Sequence, residues 1–249
     1  MTPETVALLA GAGLLAGGVN AVAGGGSLIS FPALLAAGYP AVTANVTNTV
    51  ALVPGYAGSV LGSRADLQGQ RRRAVTLSLV GVAGAVAGAV LLLTTPSEVF
   101  RAVVPFLILL GCALLVAQPW LARRVREGSG RHSTTLLHVG VLLAAVYGAY
   151  FGAGLGVVLL GLIGVFLAER LARVNALKNV LSTVVNVVAL VAFGLFGPVA
   201  WEAVLVVALA SLVGGYLGGR VAGRLPSTAL RTAVVAYGVV VAGVLLVQG

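Results

Sequence analysis

A glycine-rich interruption occurs twice in this chain, about half a chain apart, each time inside a long apolar stretch. Gly18-Val19-Asn20-Ala21-Val22-Ala23-Gly24-Gly25-Gly26 aligns without gaps on Gly148-Ala149-Tyr150-Phe151-Gly152-Ala153-Gly154-Leu155-Gly156, an offset of 130 residues. Each interruption is followed by a short apolar run, a polar corner and a long apolar helix carrying Asn, Ser and Thr. Glycine bares backbone groups that lipid cannot satisfy, so two such breaks at membrane depth have to face protein or a water-filled cavity. Paired breaks in the two halves of a chain point to a transporter's binding site.

The chain is 59% hydrophobic and 8% charged, with a mean hydropathy of +1.10. A soluble domain holds roughly 45–50% apolar and about 25% charged residues, so that class is excluded. Apolar segments reach the ~20 residues that a membrane-crossing helix needs, and the ten-residue alternation of an outer-membrane barrel is absent. The expected fold is an all-α integral membrane protein. A net charge of +9 would suit a nucleic acid, but the basic residues lie between apolar segments, where the membrane accounts for them. The single cysteine, Cys112, excludes disulfides and cysteine metal sites and fits plain packing.

The apolar segments group into two repeats. Residues 1–121 hold a hairpin over 5–38 and spans over 41–62, 74–94 and 100–121; residues 122–135 form a basic link; residues 136–249 hold a hairpin over 136–168 and spans over 176–196, 203–219 and 229–247. The returning segments, 27–38 and 156–168, are too short for a comfortable crossing, so each hairpin reads as a re-entrant element or a V-shaped broken helix that returns to its own side. The loop 63–73, the link 122–135, the corner 169–178 and the stretch 220–231 then share one face, with all but one of the 15 basic residues. By the positive-inside rule that face is cytoplasmic, which leaves both termini and Arg101 outside. An odd number of crossings per half makes the two repeats inverted in topology.

An anion in a low-dielectric site needs hydrogen-bond donors, and a helix N-terminus offers free N–H groups and the positive dipole end. Gly24, Gly25 and Gly26 lead into Ser27, whose hydroxyl is placed to cap the returning helix; Gly152, Gly154 and Gly156 form the second tip without a hydroxyl. Tight helix packing is the alternative role for these glycines. On the helix after each hairpin, Asn45 and Asn48 share one face, and Lys178, Asn179 and Ser182 cluster on another. Their amides are either ligands or glue between helices, with Asn48 and Asn179 favoured as ligands. Lys178 is the only lysine and is expected at the cytoplasmic start of a span, as a snorkelling charge or as an anion-attracting group at the inner mouth. Asn20 and Tyr150 sit one helical turn before each tip. No carboxylate falls inside a span, so an intramembrane proton relay is not expected. No spacing for a metal site, a nucleophile or a phosphate loop is present, so neither an enzyme nor a cofactor is indicated.

Gly24-Gly25-Gly26-Ser27-Leu28-Ile29-Ser30-Phe31-Pro32, the following Tyr39-Pro40-Ala41-Val42-Thr43-Ala44-Asn45-Val46-Thr47-Asn48, and Phe151-Gly152-Ala153-Gly154-Leu155-Gly156 resemble the TauE/SafE sulfite-exporter family over essentially the whole chain. The resemblance implies a multi-pass carrier of the bacterial inner membrane that moves a small anion such as sulfite, a sulfonate or another organosulfur anion. Export is the expected direction, since an inside-negative potential drives an anion outward by roughly 2.3 kcal/mol per charge per 100 mV. An anion channel built on the same repeats is the alternative. The expected partners are the small anion and the lipid bilayer, with a homodimer left open and no nucleic acid.

Overall fold

In the computed structural model, residues 1–22, 24–126, 133–221 and 227–248 are described. Among them there are ten α-helices and no strand: α1 (Pro3–Val22), α2 (Ser27–Ala36), α3 (Ala41–Gly62), α4 (Arg71–Thr94), α5 (Ser97–Arg126), α6 (Thr134–Tyr150), α7 (Leu155–Phe166), α8 (Leu171–Phe196), α9 (Trp201–Val221) and α10 (Ser227–Gln248), with a short 3-10 turn at Arg64–Leu67. Five of them, α1, α4, α5, α8 and α9, are long and apolar enough to cross a membrane. The 22-residue α3 is long enough but carries Asn45, Thr47, Asn48 and Thr49 among its buried residues. Polarity on the inside is what a helix lining a site within a bundle would show.

The helices run longer than the apolar segments alone suggest. α4 starts at Arg71, α5 continues to Arg126, and α8 begins at Leu171, five residues before the expected span. The link therefore shrinks from both ends. Its residues 127–132, with Arg131 and His132, lie outside the described residues, as does Arg224.

Packing follows a pattern that survives exchanging α1–α5 with α6–α10. α1 lies along α9 as α6 lies along α4; α3 crosses α9 as α8 crosses α4; α7 rests on α5 as α2 rests on α10; and α3 touches α8 as α5 touches α10. Small residues make the tightest of these contacts possible. A Cβ added to Gly84 or Gly88 of α4 would sit 2.4 and 2.2 Å from the carbonyl oxygens of Leu142 and Val146 on α6. One added to Gly214 or Gly218 of α9 would sit 2.0 and 2.7 Å from those of Leu14 and Gly18 on α1. In a bilayer such close backbone approach replaces the hydrophobic drive as the source of helix association. Large apolar side chains such as Leu79, Leu195, Leu205 and Leu209 point outward instead, where lipid would meet them.

Polar clamps close both ends. At one, Glu169 binds Arg73 at 2.7 Å and Arg173 at 2.8 Å, and Gln70 Nε2 donates to the Arg173 carbonyl at 3.1 Å. The Arg73 hydrogen bond, with help from Arg173, holds the Glu169 carboxyl below its ordinary range despite some burial. At the other end, Tyr39 Oη donates to Glu202 at 3.1 Å and the Ala200 N–H donates to Thr47 Oγ1 at 3.0 Å.

Candidate functional site

The two glycine breaks touch each other. A Cβ on Gly24 would lie 2.4 Å from the Gly156 Cα, and one on Gly156 would lie 2.5 Å from the Gly24 Cα, so the backbones meet with no side chain between them. Gly24 takes φ +83° and Gly154 φ +82°, left-handed values that L side chains resist. α1 closes with the Gly24 N–H on the Val19 carbonyl at 2.9 Å. α6 closes with the Gly152 N–H on the Tyr147 carbonyl at 3.3 Å. Both bonds reach five residues back, a common way to end a helix. The two breaks are nevertheless out of step, because α7 starts at Leu155 whereas its sequence equivalent Gly25 lies two residues before α2.

Around the first break the polar groups form a continuous chain. Lys178 of α8 is 1% exposed, and its Nζ donates to the Asn20 carbonyl at 3.0 Å. The Asn20 side chain in turn accepts the Gly26 N–H at 2.7 Å, the Gly26 carbonyl accepts the Ser30 N–H at 3.2 Å, and Ser30 Oγ donates to Asn48 Oδ1. Asn20 thereby caps α2 from the preceding helix. Ser27, expected as the cap, is the first residue of α2 itself; the cap position is Gly26, which makes no side-chain cap bond.

The second break is held differently. Tyr147 Oη donates to the Ala153 carbonyl, and Asn45 Nδ2 donates to the Tyr150 carbonyl at 3.0 Å. Phe151, at the break, packs edge-on against Phe31 of α2 at 5.4 Å, and Phe100 lies 5.9 Å from the Tyr150 ring. Tyr150 thus contributes its carbonyl and an apolar ring contact. Asn175 mirrors Asn45: its Nδ2 donates to the Ala21 carbonyl at the end of α1, at 3.3 Å.

Lys178 lies further inside its helix than the span 176–196 suggests, because α8 begins at Leu171: it sits two turns in, buried and against the first break. Asn179 faces the other way along α3, with Nδ2 3.2 Å from Ser63 Oγ. That contact ties α8 to α3. Several buried polar atoms have no protein partner among the described residues: Asn48 Nδ2, Ser182 Oγ and the Oδ1 atoms of Asn45, Asn175 and Asn179. The nearest neighbours of a Cβ added at Gly25 are atoms of the Leu115 side chain on α5, and at Gly154 atoms of Leu114 and Gly111.

Sequence reasoning missed Ser30, Asn175 and Tyr147. Asn175 carried a signal, since it is Asn45 displaced by the same 130 residues as the breaks, and Lys178 is Asn48 so displaced. Ser30 and Tyr147 carried none beyond their polarity. Two cavities open toward the ends of the bundle, about 410 Å³ beside Arg72, Arg73 and His138 and about 460 Å³ beside Glu98 and Arg101.

A family model described as Sulfite exporter TauE/SafE matches residues 9–245. A probable membrane transporter protein of Haemophilus influenzae is 29% identical over 241 residues, which cover 93% of this chain and 91% of that protein. The probable membrane transporter protein ORF9 of a Sinorhizobium species is 29% identical over 228 residues, covering 87% and 83%. The probable membrane transporter protein YfcA of Escherichia coli is 28% identical over 231 residues, covering 90% and 82%. No solved structure matches.

Proposed function

The chain belongs to the TauE/SafE sulfite exporter family of membrane transporters, and from that premise we propose that it is a secondary carrier exporting a small anion across the bacterial inner membrane. The anion is a sulfite, sulfonate or other organosulfur species, and it binds where the two glycine breaks meet. The observation that carries this reading is Lys178, a buried amine whose one hydrogen bond among the described residues goes to a neutral carbonyl at the first break. Its described ion-pair partners do not exist: the described salt bridges all belong to Glu169 at the bundle end. A charge held away from water without a counter-ion is costly, and a transported anion arriving beside it removes that cost. Asn48 Nδ2 and Ser182 Oγ supply the unpartnered donors.

The topology that fits this role is a pair of inverted repeats, α1–α5 and α6–α10. The ten residues of α2 and the twelve of α7 span about 15 and 18 Å at 1.5 Å per residue, roughly half of the ~30 Å hydrocarbon core, so the tips fall near the midplane. Gly24 and Gly156 are in direct contact, so the anion binds there only when the two breaks separate, a movement that an alternating carrier makes.

Reconstitution into proteoliposomes at a controlled membrane potential tests the reading. We expect saturable anion flux with counterflow, driven outward by an inside-negative potential. Flux of cations alone, or single-channel currents, would overturn it.

A further inference from the structure

The charge content of the site limits the charge of what it carries. Among the described residues Lys178 is the only charged residue that is buried. Each break sets a helix C-terminus against a helix N-terminus, α1 against α2 and α6 against α7, so the partial charges of the two macrodipoles largely offset within each break. The position equivalent to Lys178 in the first repeat, Asn48 on the facing helix α3, is neutral. The acidic residues among those described, Glu4, Asp66, Glu98, Glu169 and Glu202, lie in or near helix ends and connections, away from the breaks. The surroundings of the first break therefore offer at most one positive charge, together with the unpartnered amide of Asn48, whose Oδ1 accepts from Ser30 of α2, and the unpartnered hydroxyl of Ser182 one turn beyond Lys178 on α8.

Resting on the anion-carrier reading above, we infer that the substrate is a singly charged oxyanion and that Lys178 sets this limit. A monoanion and the ammonium form a neutral pair in the low-dielectric interior. A dianion of the same shape brings a second charge that nothing buried there compensates, and an uncompensated buried charge is heavily penalised. The neutral amides and hydroxyl then distinguish oxyanions by donor geometry, not by charge.

Methanesulfonate and sulfate are both tetrahedral sulfur oxyanions, with one and two charges at neutral pH, and they make the comparison direct. Binding of each to purified protein in detergent, measured by calorimetry at fixed ionic strength, should favour methanesulfonate on the order of 100-fold, which corresponds to one uncompensated charge reduced by residual hydration. Lys178→Gln should lose methanesulfonate binding, and Lys178→Arg should keep the preference because it keeps the single charge. Asn48→Lys, which adds a second buried cation at the equivalent position, should shift selectivity toward sulfate. Equal or tighter sulfate binding that still depends on Lys178 would overturn the charge limit while leaving the anion-carrier reading intact. A preference for methanesulfonate that survives in Lys178→Gln would also overturn it, because the methyl group and not the lysine would then be selecting. No binding of either anion, with oriented cation flux in liposomes, would remove the carrier reading itself.

Discussion

At the scale of single residues, neighbouring glycines of one motif have different work to do. Gly24 combines a left-handed φ of +83° with backbone contact to Gly156, where an added Cβ would sit 2.4 Å from a Cα atom that cannot move aside. Left-handed backbone costs an L residue roughly 1–2 kcal/mol, and the overlap adds an overpacking term of about 1–3 kcal/mol. Gly25 has ordinary φ, and the nearest atoms to its added Cβ would be the methyl ends of Leu115 at 3.1 Å, a flexible side chain able to give way. Gly24→Ala is therefore expected to lower the thermal midpoint of the detergent-solubilised protein sharply, while Gly25→Ala stays within about 1 kcal/mol of the parent. Equal loss in both variants would show that the triple glycine acts as one packing unit. The same contrast explains why the motif was visible in the sequence but its division of labour was not, since φ and neighbour distance are properties of the folded backbone.

At the scale of helices, the polar side chains that read as ligands divide into those that stitch elements together and those left with a free atom. Asn45 and Asn175 each bond the terminal carbonyls of a helix that ends at a break, and Asn179 bonds α8 to α3. Helical periodicity could place these amides on one face but not say which neighbour would satisfy them, because the partners lie more than a hundred residues away. The early start of α8 has a related reason: Arg170 and Arg173 read as a polar corner, whereas Arg173 is a helical residue held by Glu169 four residues earlier. The helix crossings had a clear signal, Gly84 and Gly88 repeated as Gly214 and Gly218 at the offset of the breaks. Gly214→Ala, whose Cβ would lie 2.0 Å from the Leu14 carbonyl oxygen, should force α1 and α9 apart and destabilise the protein by about 1–3 kcal/mol or more. Gly11→Ala, on the same α1 with nothing within 4 Å, should be neutral or slightly stabilising through helix propensity. Thermal unfolding in detergent monitored by size-exclusion fluorescence separates the two, and a matching loss in both would discount the close crossing.

At the scale of the whole molecule, charge placement and packing together predict an orientation in the membrane. Arg73, Glu169 and Arg173 meet at one end of the bundle, and Tyr39 and Glu202 meet at the other. The first end gathers elements rich in arginine: the start of α4, with Arg71, Arg72 and Arg73, and the corner before α8, with Arg170 and Arg173. The second end holds Glu98, Glu202 and the lone Arg101. Positive residues resist translocation during insertion, so the arginine-rich end should stay in the cytoplasm. In that orientation the outer end is predicted to carry the N-terminus, with α6 entering the membrane from the inside and α1 from the outside, which is the condition for inverted repeats. Thr2 and Thr134, both exposed and at opposite ends, report on this when each is replaced by cysteine, because the native Cys112 is buried. A membrane-impermeant thiol reagent applied to intact cells should label Thr2→Cys and spare Thr134→Cys until the membrane is opened. Labelling of Thr134→Cys alone would reverse the molecule in the membrane, and labelling of both would place α6 as an outward-facing helix and end the inverted-repeat interpretation.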